Sequence, residues 1–230
     1  MSRWVHCWVH CWVRMAALLL AVSAGATAMA GPVLAGDPPK GVFIYTISRN
    51  GDPIGQQRLE FVGDGQRLRV LSHTTLDVSF LGMNLYGFEQ QVEEVHEGDR
   101  IVALTSEADD DGTDKKVDLK LAGDRLKGNY NGDNARDVDP RMKTSLFWDR
   151  PALGDSRILD LLRAKVRDVT VSDLGAETLR LPAGKIEAHH LRVSGEMKRE
   201  LWYDAAGILV AGELKARDGS TLRQELLQRP

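Results

Sequence analysis

The chain has 230 residues, with 30 basic and 33 acidic side chains, a net charge of −3 and 43% hydrophobic residues. That length suits one large domain with a substantial core. The near-balanced, evenly mixed charge excludes the basic footprint of a nucleic-acid binder and a polybasic lipid anchor, and the two cysteines, Cys7 and Cys11, stand too close to the N-terminus to staple the rest.

Trp4-Val5-His6-Cys7 and Trp8-Val9-His10-Cys11, followed by Trp12-Val13-Arg14, are successive copies of one four-residue unit. His and Cys are soft-metal ligands, but the unit precedes an export core and is expected to leave with it. A duplicated stretch ahead of a start at Met15 is the simpler origin. Arg14 is followed by an apolar run over residues 15–22, then by small residues ending in Ala28-Met29-Ala30. A basic residue, a short apolar core and an Ala-x-Ala exit make a secretory signal peptide over residues 1–30, with Val33-Leu34-Ala35 as an alternative exit. The run is too short and too rich in small residues for a span of about twenty apolar residues, so no stable membrane span is expected after cleavage. The expected product is a single β-rich domain over residues 31–230, periplasmic or secreted and free of cysteine. Its net charge moves from −3 to −5 with the loss of Arg3 and Arg14.

Period-two alternation dominates from there, placing one face of each strand on a core. Residues 42–47 are apolar on both faces and predict a central or covered strand. Over 68–80, Leu68, Val70, Leu76, Val78 and Phe80 share a face with Ser72 and Thr74, while Arg69, His73, Thr75, Asp77 and Ser79 share the other. Val117, Leu119 and Leu121 alternate with Lys116, Asp118 and Lys120. Asn50-Gly51, Gly63-Asp64-Gly65, Glu97-Gly98-Asp99, Gly123-Asp124 and Asp218-Gly219 punctuate the runs with residues that accept the positive φ of hairpin turns. Residues 129–140, rich in Asn, Asp and Gly, read as a loop. Residues 155–163 read as a short amphipathic helix, capped by Asp155 or Ser156, with Ile158, Leu161 and Leu162 on one side. Strands follow at about 166–173, 176–182, 186–195, 198–204, 208–217 and 221–227, with Asp204-Ala205-Ala206-Gly207 as a hairpin turn. The fold class is all-β: a strongly curved antiparallel meander, half-barrel or open-barrel-like, with one short helix.

Chemistry is poorly signalled. Adjacent strand residues face opposite sides, so His189 and His190 make no ligand pair. Residues 109–114, acid-rich, lack the EF-hand spacing and its late Glu and read as a solvated hairpin loop. Gly154-Asp155-Ser156 has no later histidine to complete a lipase-type triad, and no nucleophile elbow, phosphate loop or zinc-protease helix occurs. No cofactor, catalytic residue or metal site is expected.

Two stretches carry a resemblance. One is Tyr45, then Arg49-Asn50-Gly51, then Pro53-Ile54-Gly55. The other is Ala188, Leu191 and Val193-Ser194-Gly195, followed by Leu201-Trp202-Tyr203-Asp204, Gly207 and Leu209-Val210. Phe147-Trp148-Asp149 lies between them. Together they resemble the exported bacterial domain of unknown function 6134, and more loosely domain of unknown function 3108. The resemblance spans roughly residues 41–227. It implies a strongly curved antiparallel sheet, akin to the open half-barrel of periplasmic lipoprotein carriers, and brings no substrate and no catalytic residues.

The leading functional expectation is an exported, non-enzymatic domain that binds an apolar small molecule or lipid, or a protein partner, in the concave face of its sheet. The expected cavity lining is Tyr86, Phe88, Phe147, Trp148, Ile158, Leu161, Leu162 and Trp202, a group of aromatics beside the helix. A filled concave face would defeat that reading. The second expectation, a structural or assembly protein of the cell envelope without a small ligand, calls for an exposed apolar edge and no cavity. A hydrolase built from carboxylates or His73 ranks last.

Overall fold

The computed structural model describes residues 38–63, 66–80 and 83–230. The leader over residues 1–30 and both expected cleavage sites lie outside them. The described residues fold into β1 (Gly41–Arg49), β2 (Asp52–Gly63), β3 (Arg67–Phe80), β4 (Met83–Glu97), β5 (Arg100–Asp110), β6 (Asp114–Ala122), β7 (Arg125–Tyr130), β8 (Asp133–Val138), β9 (Lys143–Thr144), β10 (Gly154–Asp160), β11 (Lys165–Leu181), β12 (Gly184–Gly195), β13 (Arg199–Asp204), β14 (Leu209–Lys215) and β15 (Thr221–Gln228).

One sheet holds all fifteen, in the order β8-β7-β6-β5-β4-β3-β2-β1-β15-β14-β13-β12-β11-β10-β9. This is chain order closed into a ring by the antiparallel pairing of β1 with β15 and broken once, between β8 and β9. Short turns between successive strands force antiparallel neighbours; only β9 runs parallel to its partner, β10. The turns match the sequence. Asn50 and Gly51 take φ of 53° and 95°, and the Asn50 side chain accepts from the Thr221 amide at 2.9 Å, tying the first turn to β15. Asp204 Oδ1 accepts from the amides of Ala206 and Ile208 at 3.0 and 2.9 Å, closing the β13–β14 hairpin.

The sheet rolls upon itself. Leu159 and Leu161, from β10 and the turn after it, share a buried cluster with Val92, Leu104, Val117, Leu119 and Leu126 on β4 to β7, strands remote in sheet order. A second cluster joins Phe43, Tyr45, Leu59, Phe61 and Val70. A third gathers Ile158, Val169, Val171, Leu191, Val193, Leu201, Tyr203 and Leu209 around Phe147. The alternation over residues 68–80 holds, with Val70 and Ser72 buried and His73, Thr75 and Asp77 exposed.

Three expectations are corrected. Residues 155–163 form no helix: β10 runs Gly154–Asp160 and a turn follows. Ile158 and Leu159 are both fully buried but in different clusters. A strand covered on both sides loses its alternation, and with Leu161 in the turn it mimics helical spacing. Residues 129–140 are not one loop, because Asn131 and Gly132 at φ 51° and 85° turn β7 directly into β8. The strands expected at 166–173 and 176–182 are one strand, β11, with a register shift between Asp173 and Gly175. The extra residue there swaps the faces of the strand: Val169 and Val171 belong to the third cluster, Leu179 and Leu181 to the cluster of Tyr45.

Candidate functional site

The most concentrated polar chemistry inside the roll centres on Glu94. Direct cross-strand partners share a face, and Glu94 sits opposite Val70 on β3 and Leu104 on β5, two fully buried residues. Its own exposure is 0%. A carboxylate there demands compensation, and three groups supply it. Thr144 Oγ1 donates to Oε1 at 2.6 Å and Trp148 Nε1 donates to Oε2 at 2.8 Å. His96 Nε2 lies 2.9 Å from the same Oε2. The Trp148 ring also meets Phe61 and His96 edge-on, at 5.5 and 5.3 Å between centroids. Beside this group is a void of about 20 Å³, lined by Glu94, His96, Thr144 and Trp148 among others, with room for one water.

Thr144, on β9, and Trp148, between β9 and β10, belong to the segment that follows the break between β8 and β9. This segment lies between two packed faces. Leu146 and Trp148 pack on the Phe61 side, while Phe147 turns the other way into the third cluster. Phe147 has φ +53°, rare for a bulky residue; its carbonyl accepts from the buried Tyr203 hydroxyl at 2.8 Å. Burial pushes the Tyr203 phenol well above its ordinary pKa.

Amides and hydroxyls continue the polar band. Gln224 Nε2 donates to Gln57 Oε1 at 2.7 Å, Gln57 Nε2 to Ser72 Oγ at 2.9 Å, and Gln90 Nε2 to Ser106 Oγ at 2.9 Å. These bonds allow Ser72 to occupy a core position between Val70 and Thr74. On another part of the sheet, His190 stacks on Trp202 at 4.3 Å, Arg223 lies over the same indole at 5.0 Å, and Glu177 accepts the indole N–H. His190 also pairs with Glu200 at 2.7 Å. Trp202 is buried.

The expected lining residues do not converge. Phe147 and Ile158 lie in one cluster, Leu161 in another, and Trp202 in a third with Trp148 packed against it. Leu162 is half-buried, its amide donating to Asp160 at 3.0 Å. Tyr86 donates to Asp110 at 2.7 Å at the far end of β4, and Phe88 borders an open depression there. Burial opposes the Asp110 carboxylate, but hydrogen bonds from Lys115 and Tyr86 outweigh it and hold its pKa below the usual range. The acid-rich residues 109–114 make a hairpin turn, with Asp109 accepting from the Gly112 amide at 2.6 Å. Among the described residues no group of three His, Cys, Asp or Glu side chains is placed to hold a metal.

Sequence reasoning missed Glu94, His96 and Thr144. The available signal was parity: Glu94 falls on the same face of its strand as Val92, a charge where the pattern calls for an apolar residue. Engaged by Thr144, Trp148 and His96, the Glu94 carboxylate ties β4 to residues 144–148.

A family model for a domain of unknown function, DUF6134, matches residues 45–227. No curated protein matches the chain. Among solved structures, the chain is similar to a beta-barrel-like protein of domain of unknown function DUF1849 from Brucella abortus, with TM-score 0.56 and 10% identity over 81% of this chain and 94% of that one. At that identity the likeness is one of fold.

Proposed function

The chain belongs to the DUF6134 family, and from that premise we propose that it is an exported, non-enzymatic interaction domain of the cell envelope that carries no small ligand. The observation behind this reading is the filling of the roll. The space where an apolar guest would lie holds the protein's own Leu146, Phe147, Trp148, Leu159 and Leu161. The void beside Glu94 has room for one water, far below the several hundred Å³ of an ordinary ligand pocket, and the larger depressions of about 540 and 520 Å³ lie open at the surface. The carrier reading would require this packed segment to leave, exposing Glu94 and parting it from Thr144 and Trp148. The composition of residues 1–30, a basic residue ahead of an apolar core and an Ala-x-Ala exit, supports export.

The test is native mass spectrometry of mature protein purified from an exporting host, followed by organic extraction. A bare polypeptide mass with nothing apolar in the extract agrees with the proposal. A stoichiometric lipid or other apolar molecule would overturn it and restore the carrier reading.

A further inference from the structure

The hairpin of β11 and β12 leaves the sheet and lies back over it. β11 pairs with β10 only as far as Val171 opposite Gly154, and β12 pairs with β13 only as far as Ala188 opposite Asp204. Beyond these points, among the described residues, the two strands pair with each other alone, through Thr178–Glu187, Leu179–Ile186, Arg180–Lys185 and Leu181–Gly184. This arm crosses β13 to β15. At its root Glu177 accepts the indole N–H of Trp202 on β13, and at its tip the Ala183 amide donates to the Leu226 carbonyl on β15 at 3.1 Å. Leu179 and Leu181 are buried in one cluster with Trp202, Val210, Ala211 and Leu226, and Ile186 packs against it. The other side of the arm, with Thr178, Arg180, Lys185 and Glu187, is exposed.

The arm has a hinge. The register shift between Asp173 and Gly175 puts an extra residue, Leu174, into β11 where the arm turns away, and Gly175 takes φ +96°, a conformation that L side chains resist. A bulge bends its strand and re-aims everything beyond it. Leu174 is 46% exposed, and Leu153, which precedes the Gly154 partner of Val171, is 55% exposed. Apolar side chains thus stand uncovered where the backbone departs from its ladder, while the arm presents one apolar face to a groove that fits it.

We propose that the groove of Trp202, Val210, Ala211 and Leu226 also receives the arm of a second copy of this chain, so that two copies associate by exchanging residues 176–187. This rests on the interaction-domain reading and names its surface and its partner. The arm itself is the argument for the occupant. What the groove accepts within one chain it accepts from an identical chain, with the same Glu177–Trp202 bond, the same Ala183–Leu226 bond and the same buried leucines. Exchange therefore conserves the contacts of the arm. It adds contact at the hinge, where the two arms pass each other about a two-fold axis and Leu174 of each chain meets its counterpart. Covering these leucines offsets the freedom lost on association.

The experiment uses the mature protein. The cysteines of the chain are Cys7 and Cys11, so a chain beginning at residue 31 has none and accepts single reporters. Ala183→Cys and Leu227→Cys, both at exposed positions, are prepared separately and together and treated with a short bis-maleimide. An internal link in the double variant shows that the two sites are within reach. A mixture of the two single variants is expected to give a linked product of twice the mass, far exceeding the linked product of either variant alone. Sedimentation across a concentration series is expected to show a dimer. Leu174→Ser is expected to weaken that dimer about tenfold, the scale of one lost apolar side chain, with the thermal melt of the monomer retained. Linking the arm internally in dilute double variant is expected to hold that protein monomeric. A monomer at every concentration overturns the proposal. So does a dimer whose mixed single variants give no excess of linked product, or one that the internally linked variant forms equally well. Each of these outcomes leaves an interaction domain standing, whereas a stoichiometric lipid in the native mass overturns the interaction domain itself.

Discussion

The indole N–H of Trp148 donates to Oε2 of Glu94 at 2.8 Å across a separation of 54 residues. This bond joins the segment between β9 and β10 to the last stretch of β4, close to its turn, and Thr144 adds a second bond to the same carboxylate. Glu94→Ala removes the acceptor and leaves the buried donors unsatisfied, which is expected to cost about 3–5 kcal/mol. Glu94→Gln keeps the volume but halves the accepting capacity and is expected to cost about 1–3 kcal/mol. Urea denaturation checks both. In a double-mutant cycle with Trp148→Phe, a coupling above about 0.5 kcal/mol is expected, because the two side chains share a bond. Independent, additive costs would refute the claim that Glu94 holds this segment.

The strands whose two faces differ were legible: Val70 against His73, or Val117 and Leu119 against Lys116 and Lys120, state their own orientation. Ile158 and Leu159 do not. They lie between two packed faces, so the period that identifies a strand was erased and helical spacing took its place. The site was illegible for a related reason. Glu94 is separated from Thr144 by 50 residues, and the ring-like return of the chain that brings them together is a property of the whole sheet. Composition hid β7 and β8 in another way, since Asn131-Gly132 marks a hairpin turn and the polar residues around it line the edge strand, where charge is protective.

Tyr203 offers a test at alkaline pH. Its hydroxyl is held by the Phe147 carbonyl in a fully buried setting, and burial raises its folded pKa far above that of the unfolded chain. Tyr45 is raised in the same direction, chiefly by burial. The protonated phenol is the form the fold favours. The contribution is therefore complete below the unfolded value of about 10 and declines as pH climbs beyond it. Absorbance at the phenolate band is expected to show these two groups ionising only together with unfolding. Tyr203→Phe is expected to lose about 1 kcal/mol near neutrality and to flatten the alkaline decline. A variant whose alkaline limb matches the parent would place the pH sensitivity elsewhere.

The acid limb carries the opposite sign. Asp218 is held at a pKa of about 2, first by the Ser220 hydroxyl and amide and then by Arg49. These bonds tie the β14–β15 turn to the end of β1. A depressed folded pKa means the contribution is present above the unfolded value of about 4 and fades as pH falls toward 2. Asp218→Asn is therefore expected to lower stability near pH 6 slightly and to shrink the loss between roughly pH 4 and 2. Urea midpoints for both proteins across that range decide the matter, and parallel curves would remove Asp218 from the acid response.

Gly55 faces Leu76 on β3 with no room for a side chain. A methyl group built on it would stand 1.9 Å from the Thr75 carbonyl oxygen and 2.9 Å from the Leu76 Cα, both backbone atoms that cannot swing aside. The Gly55–Leu76 pair is also the last rung between β2 and β3. Gly55→Ala must push the strands apart at that rung, so a stability loss of about 2–4 kcal/mol is expected from overpacking. Hydrogen exchange should accelerate first at Leu76 and Asp77 and leave the Glu94 region protected. If exchange instead rises uniformly, the β2–β3 contact and the Glu94 region are one cooperative unit, and a local effect of Gly55 is refuted.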